Sequence, residues 1–488
     1  MSISFNEIPD NIRVPLFYAE FDNSRAVQGL ALQVYKALII GQKTSAGSAT
    51  AEVPVLVTSA DQAKSLFGVG SMLHRMFVKW FKNNKSTEVW CIPVADNGAG
   101  VAATGTFTVT GPATAAGTLS VYIGGQLVQV AVASGDAQND IATALSAAIN
   151  LVTDLGVTAG VSTNVVTVTA KNKGTNGNKI DLRLNYQSDE ALPAGVAVAV
   201  VAMASGATNP VLTNLISAMG DEQYHLIVNP YVDATSLTAL EAELLDRWGA
   251  LRQIEGVMVA AASDTVGNLT TLGNSRNSKH SVIFGAYKYP NPPEEVAAAV
   301  VGQVALAGGI DPARPFQTLQ LSGILAPVES DRFNWSERNT LLFDGIASLV
   351  VGAGSVVQIE RAITTYQLNA FSVADTSYLD LNTMLTLSYL RYSFKARMTS
   401  RYPRHKLAKD GTRFGPGQAV MTPKVAKAEC FTIFEEWELK GLVEGFAQFK
   451  NDLIVEINAS NPNRLDIRMS PDLINQLSVL GTQIQFLL

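Results

Sequence analysis

The residues of this sequence that could carry out acid–base or nucleophilic chemistry are few and far apart. Histidine is the usual general base and a common zinc ligand, but the four histidines share no spacing that indicates a site: His74, His225, His280 and His405. Asp264 and Asp311 follow predicted strands or turns, yet aspartate is also an ordinary turn residue and helix cap. A serine–histidine–aspartate set needs only to meet in space, so the sequence leaves one open.

Local catalytic and cofactor motifs are missing from the sequence. It contains no Gly-x-Ser-x-Gly nucleophile elbow, no Gly-x-x-x-x-Gly-Lys phosphate loop and no His-Glu-x-x-His motif. Gly352-Ala-Gly354 follows a predicted strand, but position 357 is valine, so the dinucleotide-binding fingerprint is incomplete. His225 in an apolar strand and Cys91 between Trp90 and Ile92 are typical of core residues. The sequence therefore predicts no catalytic, cofactor-binding or metal-binding residue.

A basic stretch is the clearest charge feature. Between Arg391 and Ala428 there are ten Lys or Arg residues and one acid, Asp410. Three interpretations remain open: a solvated surface with a glycine-rich loop, a nucleic-acid site with interleaved aromatic rings, or a surface that docks against an acidic protein. The net charge of −6 argues against a dedicated nucleic-acid-binding protein. The docking cations would be Arg391, Lys395, Arg397, Arg401, Arg404 and Lys406.

The chain is long enough, and apolar enough, to form several domains. Its 488 residues correspond to about three domains of ~150 residues, and 47% hydrophobic residues can build a sizeable core. Two cysteines cannot form a disulfide framework or a four-cysteine zinc site. The acidic start and the lack of about 20 consecutive apolar residues predict neither a secretory signal nor a transmembrane helix.

Alternating strand and helix patterns predict a multidomain α/β protein. Residues 36–96 and 208–370 combine buried-type strands with helices, which favours a largely parallel sheet covered by helices. Residues 97–207 interrupt that pattern with only ten charged side chains and many alternating Thr and Val residues. They are predicted to form an inserted β-rich domain of sandwich or barrel type. Residues 371–480 are predicted to form a C-terminal domain of helices and strands.

Both ends of the chain have strand character without an obvious partner. Residues 1–35 contain the runs Ile12–Val14 and Phe17–Phe21, and residues 481–488 alternate apolar side chains on one face. An isolated strand leaves its amides unsatisfied, so such arms need the edge of a sheet to pair with. We therefore predict linking arms at 1–35 and 481–488. Their contact residues would be Arg13, Phe17, Tyr18, Phe21, Ile484, Phe486 and Leu488.

Several segments resemble the contractile tail sheath proteins of Mu-like phages. At the amino end they are Ile8-Pro-Asp-Asn-Ile-Arg-Val-Pro15, Tyr18-Ala-Glu-Phe-Asp-Asn-Ser24, Lys36-Ala-Leu-Ile-Ile-Gly-Gln42 and Leu66-Phe-Gly-Val-Gly-Ser-Met-Leu73. At the carboxyl end they are Tyr402-Pro-Arg-His-Lys406, Pro423-Lys-Val425, Asn463-Arg-Leu-Asp-Ile467 and Gln485-Phe-Leu-Leu488. The resemblance covers both ends and most of the predicted α/β core, and it is weakest across 97–207.

This resemblance implies a structural protein without cofactors. Members of the family stack as hexameric rings around a tail tube and contract to drive it through the host envelope, while their arms add strands to neighbouring subunits. The implied partners are other copies of the chain, the tail tube protein, and the baseplate and tail-terminator proteins, with no direct contact to nucleic acid or membrane. The implied location is the virion tail, after assembly in the host cytoplasm.

The resemblance also suggests roles for particular segments. The six docking cations would face an acidic tube, and residues 97–207 would lie outside the assembly and be dispensable for polymerisation. The alternatives are a monomeric α/β hydrolase or transferase and a structural protein that binds nucleic acid.

Overall fold

The computed structural model describes residues 33–487 of the chain, which form two compact units. Within these limits the main unit contains residues 34–389 and 475–487, and the C-terminal unit contains residues 390–474. The boundary falls inside a long helix, later than position 371, where the sequence places the start of the C-terminal domain.

The first part of the main unit contains β1 (Lys36–Gln42), β2 (Val55–Val57), α1 (Ala60–Phe67), α2 (Met72–Asn83) and β3 (Glu88–Val94). The side chain of Ser71 begins α2 by accepting a hydrogen bond from the N–H of His74 (3.1 Å). The apolar side chains of this helix form its core face, because Leu73, Met76 and Trp80 are fully buried.

Residues 97–209 carry the β-rich insertion. Its elements are β4 (Ala102–Thr110), β5 (Gly117–Ile123), β6 (Gln126–Val132), α3 (Gln138–Leu151), β7 (Val157–Ser162), β8 (Val165–Lys173), a 3₁₀ turn (Thr175–Lys179), β9 (Leu182–Leu184) and β10 (Ala197–Ala204). Two antiparallel sheets, β10-β4-β8-β7 and β6-β5-β9, share a core of inward-facing side chains with α3. The two ends of the insertion meet, since the Asn97 side chain donates to the Asn209 carbonyl (3.1 Å).

The second part of the main unit resumes the α/β pattern. Its elements are α4 (Thr213–Ala218), β11 (Leu226–Val228), α5 (Ala234–Trp248), β12 (Val257–Ala262), α6 (Val266–Asn274), β13 (Ser281–Gly285), α7 (Pro293–Ile310), α8 (Trp335–Phe343), β14 (Ser348–Val351) and β15 (Val357–Arg361). α9 (Leu381–Arg401) follows and contains the unit boundary. The central sheet has the order β13-β12-β11-β1-β3-β2, and β2 alone of these six strands is antiparallel to its neighbour.

Both faces of this sheet are buried, which explains the continuous apolar strands of the sequence. In β1 the side chains of Ala37 and Ile39 join one core cluster, and those of Leu38 and Ile40 join the cluster on the other face. Helices α2 and α7 contribute to the first cluster, and α5 contributes to the second. The predicted α/β fold class is confirmed.

The C-terminal unit contains the end of α9 and a set of short elements. They are β16 (Lys406–Leu407), β17 (Val420–Met421), α10 (Pro423–Leu439), β18 (Val443–Glu444), α11 (Phe446–Asp452), β19 (Ile454–Ile457), β20 (Leu465–Arg468) and β21 (Asp472–Leu473). Its core is aromatic: the rings of Phe434 and Phe449 stack at 4.2 Å, and buried Trp437 donates to the Ser393 hydroxyl (2.9 Å). Among residues 33–487, no helix combines the length and apolarity needed to cross a bilayer.

Candidate functional site

His225 and Asp311, two of the residues that could perform acid–base chemistry, make contacts that are typical of structural residues. The ring of His225 stacks on Tyr35 at 4.7 Å and accepts a hydrogen bond from the N–H of Lys36 (3.0 Å). Burial lowers the pKa of His225 to about 4, so its ring is neutral at physiological pH. The Asp311 carboxylate accepts from the N–H of Ala313 (3.0 Å) at the end of α7. Within residues 33–487, no cluster of three or more His, Cys, Asp or Glu side chains is arranged to hold a metal ion.

The insertion covers the sheet edge at which α/β folds usually bind ligands. That place is the crevice beyond the carboxyl ends of the strands, where the strand order changes direction, here between β1 and β11. Hydrogen bonds from the insertion join it to the ends of both strands: Gln42 Nε2 to the Lys173 carbonyl (2.7 Å), Asn172 Nδ2 to the Lys43 carbonyl (3.1 Å) and Asn176 Nδ2 to the Pro230 carbonyl (2.8 Å). The crevice is therefore an internal contact of the main unit.

The same contact continues along the carboxyl edge. Beyond β12 the Lys179 ammonium donates to the Ser263 carbonyl (2.8 Å), and beyond β13 the Arg183 guanidinium donates to the Lys288 carbonyl (3.1 Å). At the other end of the edge, the Asp96 carboxylate accepts from Asn172 Nδ2 of the insertion (3.1 Å). Sequence reasoning located the insertion but gave no sign of these contacts, because single polar residues in a Thr- and Val-rich segment resemble ordinary surface residues.

The basic stretch is divided between a buried ion-pair network and an exposed surface. Arg397 is 7% exposed, and its guanidinium contacts the carboxylates of Glu429 (2.9 Å) and Glu436. Arg401 also reaches Glu429 (3.2 Å), whose second oxygen accepts from the Tyr402 hydroxyl (2.7 Å). Burial and the Glu429 carboxylate raise the pKa of Tyr402 to about 12.

The prediction that Arg397 faces a tube is therefore wrong. Its charge is neutralised between α9 and α10, and exposing it would remove one cation from the buried Glu429 carboxylate. The sequence contains an indication of this pairing. Glu429 and Glu436 are seven residues apart, so both carboxylates lie on one face of α10. The basic stretch, Arg391–Ala428, ends one residue before Glu429.

The remaining predicted cations lie on or near the surface of the C-terminal unit. Lys395 and Arg404 are exposed and form no ion pair within the described residues, and Arg391 is half-buried. Lys406 is exposed, and its ammonium donates to the Gln418 side chain (2.7 Å). Residues 409–419, which include Lys409 and Arg413, form an exposed loop directly after them. The exposed basic surface, meaning Lys395, Arg404, Lys406, Lys409 and Arg413, is thus a real feature of this unit.

Residues 474–487, the carboxyl-terminal segment, follow β21 and contain no strand. Near its beginning, Gln476 Nε2 donates to the Ala313 carbonyl and Gln317 Nε2 donates to the Leu477 carbonyl, both at 3.4 Å. Residues 481–487 are then exposed throughout, and their apolar side chains are almost free of contact, with Ile484 85% and Phe486 78% exposed. Arg13, Phe17, Tyr18, Phe21 and Leu488 lie outside the described residues.

A two-stranded sheet in the C-terminal unit offers open edges. β19 and β20 pair with each other from Ile454 opposite Arg468 to Ile457 opposite Leu465, and neither pairs with another strand of residues 33–487. One side of this hairpin lies near α10, and Ile454 is 42% exposed. As far as residues 33–487 are concerned, each strand therefore has one edge of backbone groups to which a further strand can add.

Comparisons with known proteins agree with the resemblance at both ends. Residues 205–365 match the model of the phage tail sheath protein central domain, and residues 373–486 match the phage tail sheath C-terminal domain. The chain is 45% identical over 489 residues to the Mu-like prophage FluMu tail sheath protein of Haemophilus influenzae, with 100% of both sequences covered.

Two solved structures have a similar fold. One is the sheath tail protein of Desulfitobacterium hafniense, with a TM-score of 0.50, 12% identity, and coverage of 94% of this chain and 97% of that chain. The other is a chain of the anti-feeding prophage baseplate, with a TM-score of 0.50, 11% identity, and coverage of 98% and 100%. The full-length identity and the two matched domains lead to one conclusion: the chain belongs to the phage tail sheath family, whose members are structural tail proteins and not enzymes.

Proposed function

We propose that this chain polymerises as stacked hexameric rings around a tail tube and contracts to drive the tube through a host envelope. The observation that carries the proposal is the exposed apolar segment 481–487, which has strand-like alternation and pairs with no strand among residues 33–487. Its partners would be other copies of itself, the tail tube protein, and the baseplate and tail-terminator proteins. It would assemble in the host cytoplasm and function in the virion tail, without direct contact to nucleic acid or membrane.

The subunits would be linked by strand addition. The carboxyl-terminal segment of one copy would pair with an open edge of β19 or β20 in another copy, and the amino-terminal arm, residues 1–35, would use a second open edge. Backbone hydrogen bonds would then supply affinity, and alternating side chains would set the register. Burying Ile484 and Phe486 contributes about 1.5–3 kcal/mol for each side chain.

The exposed basic surface would contact an acidic tube in the extended sheath. Each exposed ion pair is worth about 0–1 kcal/mol, which suits a contact that must release during contraction. Because these ion pairs would repeat around each ring, their small free energies would add up to a significant total. Contraction would be a shift of population in which new contacts between sheath subunits outweigh the lost contacts to the tube, with the arms acting as hinges. It requires no nucleotide.

Electron microscopy of the purified full-length chain tests the proposal. We expect rings or tubes of sheath when the chain is alone, and extended sheaths when it is assembled with its tail tube protein. A chain that stays monomeric at all concentrations and with the tube protein would contradict it.

Charge reversal separates tube contact from polymerisation. The variant Lys395→Glu, Arg404→Glu, Lys406→Glu changes three exposed cations and leaves the pairs of Arg397 and Arg401 with Glu429 intact. We expect it to polymerise alone but not around the tube. A matched control reverses three exposed cations of the main unit that form no ion pair among residues 33–487, Lys82→Glu, Lys85→Glu and Arg314→Glu. Normal extended sheaths from the first variant would refute the tube contact.

A further inference from the structure

The larger sheet of the insertion ends at β7, an edge strand whose sequence would allow a further strand to add. Among residues 33–487, β7 pairs only with β8, from Val157 opposite Ala170 to Ser162 opposite Val165. Its sequence, Val-Thr-Ala-Gly-Val-Ser, contains neither a charged residue nor a proline, which are common obstacles on an exposed edge. β7 therefore needs another protection against strand addition.

The side chain of Asn150 occupies the middle of this edge. Asn150 Oδ1 accepts from the N–H of Ala159 (2.9 Å), and its Nδ2 donates to the carbonyl of the same residue (2.8 Å). A residue of an added antiparallel strand would make the same two bonds. Because residues of an antiparallel strand alternate between bonding to the partner and facing away, Val157, Ala159 and Val161 form the row that faces away from β8. Asn150 thus closes the central position of that row.

Helix α3 holds Asn150 in this position. The core face of α3 includes Ile141, Leu145 and Ile149, all of which are buried. Asn150 itself is exposed and is the last residue but one of the helix. Its side chain therefore adds little to the core of the insertion, and its two bonds to Ala159 are made before a neighbouring subunit arrives.

Two other strand edges of the main unit are covered in related ways. The free side of β13 forms backbone hydrogen bonds with Ala347 and Thr365. Directly beyond β10, the Asn178 amide accepts from the N–H of Gly206 (2.7 Å) and donates to the carbonyl of that residue (2.9 Å). In the C-terminal unit, by contrast, the backbone of β19 and β20 bonds to no side chain of residues 33–487. The edges of β19 and β20 are thus left open while that of β7 is closed.

We propose that Asn150 determines where strands add: by closing β7 it prevents strand addition at the insertion and directs it to the hairpin of β19 and β20. The inference rests on the proposed linking of subunits by strand addition. Without Asn150, the β7 edge would pair with the same edge of a second copy, because two identical edges can pair antiparallel. Such a contact has two-fold symmetry, whereas contacts that repeat along a tube join different parts of successive subunits. Closing β7 therefore removes a contact that competes with sheath assembly.

Self-association of a chain with a disabled carboxyl-terminal arm tests the role of Asn150. The parent is the full-length variant Ile484→Asp with Phe486→Asp, which we expect to sediment as a monomer. Adding Asn150→Ala should lower the dissociation constant for self-association at least tenfold in sedimentation velocity. The matched control adds Asn150→Asp, whose carboxylate still accepts from the Ala159 N–H and brings a charge to the edge. It should stay monomeric, although it also loses the bond to the Ala159 carbonyl.

A rescue variant separates edge closure from stability. Adding Ala159→Pro to Asn150→Ala removes the outward-facing N–H, and edge strands tolerate proline where the N–H faces solvent. We expect this variant to be monomeric again, which a mere loss of stability would not produce. Self-association in neither or in both of the Asn150→Ala and Asn150→Asp chains would overturn the inference, as would association that persists with Ala159→Pro. Tubes formed by the parent would instead overturn the proposed linking by strand addition.

Discussion

Replacing Arg397 with alanine should open the C-terminal unit far more than replacing Lys395, two residues earlier on the same helix. Arg397 is 7% exposed and contacts two carboxylates of α10, Glu429 and Glu436. Lys395 is exposed and forms no ion pair among residues 33–487. The two substitutions remove similar cations from the same helix, so Lys395→Ala is a matched control.

The expected magnitudes differ because burial differs. Removing one partner of a buried ion pair costs about 3–5 kcal/mol, since the remaining carboxylates are left in a poorly solvated place. Glu429 has Arg401 and Tyr402 as further partners, which places the cost near the lower end of that range. Lys395→Ala should change the free energy of unfolding by less than about 0.5 kcal/mol.

Amide hydrogen exchange of the full-length chain measures this locally. At one decade for each 1.4 kcal/mol, peptides from α10 should exchange roughly 100-fold to 5,000-fold faster in Arg397→Ala. Exchange in the same peptides should be unchanged in Lys395→Ala. Equal protection of α10 in the two variants would refute the structural role of Arg397 and return it to the exposed basic surface.

Two further predictions concern the main unit. Joining Asp96 directly to Asn209 removes the insertion from the carboxyl edge of the sheet and leaves the Lys43 and Pro230 carbonyls without Asn172 and Asn176, so we expect a lower melting temperature; an unchanged one would show that the insertion is dispensable for folding. Because burial lowers the pKa of His225 to about 4, the folded state binds fewer protons than the unfolded state, and stability should fall by about 3 kcal/mol as the pH drops from 6.5 to 4. The variant His225→Phe should flatten that part of the pH profile in urea unfolding, and an unchanged profile would contradict the assignment.

Most of the fold can be predicted from the sequence. The buried-type strands predicted within 36–96 and 208–370 include β1, β3, β11, β12 and β13, which form the parallel part of the central sheet. These elements have strong periodicity or clear turn residues at their ends, so local patterns determine them. The resemblance to tail sheath proteins, which came from short segments at both ends, is confirmed by the full-length identity.

The surroundings of individual charges could not be predicted in the same way. The pairing of Arg397 with Glu429 joins residues 32 positions apart on two helices, and which face of α9 meets α10 is decided by packing. The contacts of the insertion with the sheet edge span still longer distances, such as the 131 positions between Gln42 and Lys173. The assembly contacts of Ile484 and Phe486 stay predictions, because a single subunit contains one half of each.

The central claim is that strand-like arms link subunits, and point variants in the carboxyl-terminal arm test it most directly. In a strand at 481–488, Ile484 and Phe486 share one face while Gln483 and Gln485 share the other. We predict that Ile484→Asp with Phe486→Asp gives a folded monomer, because both side chains are exposed in the subunit, and that it forms neither rings nor tubes in electron micrographs. The matched variant Gln483→Asp with Gln485→Asp should still assemble. Long tubes from the first variant, or loss of assembly in both, would contradict the account.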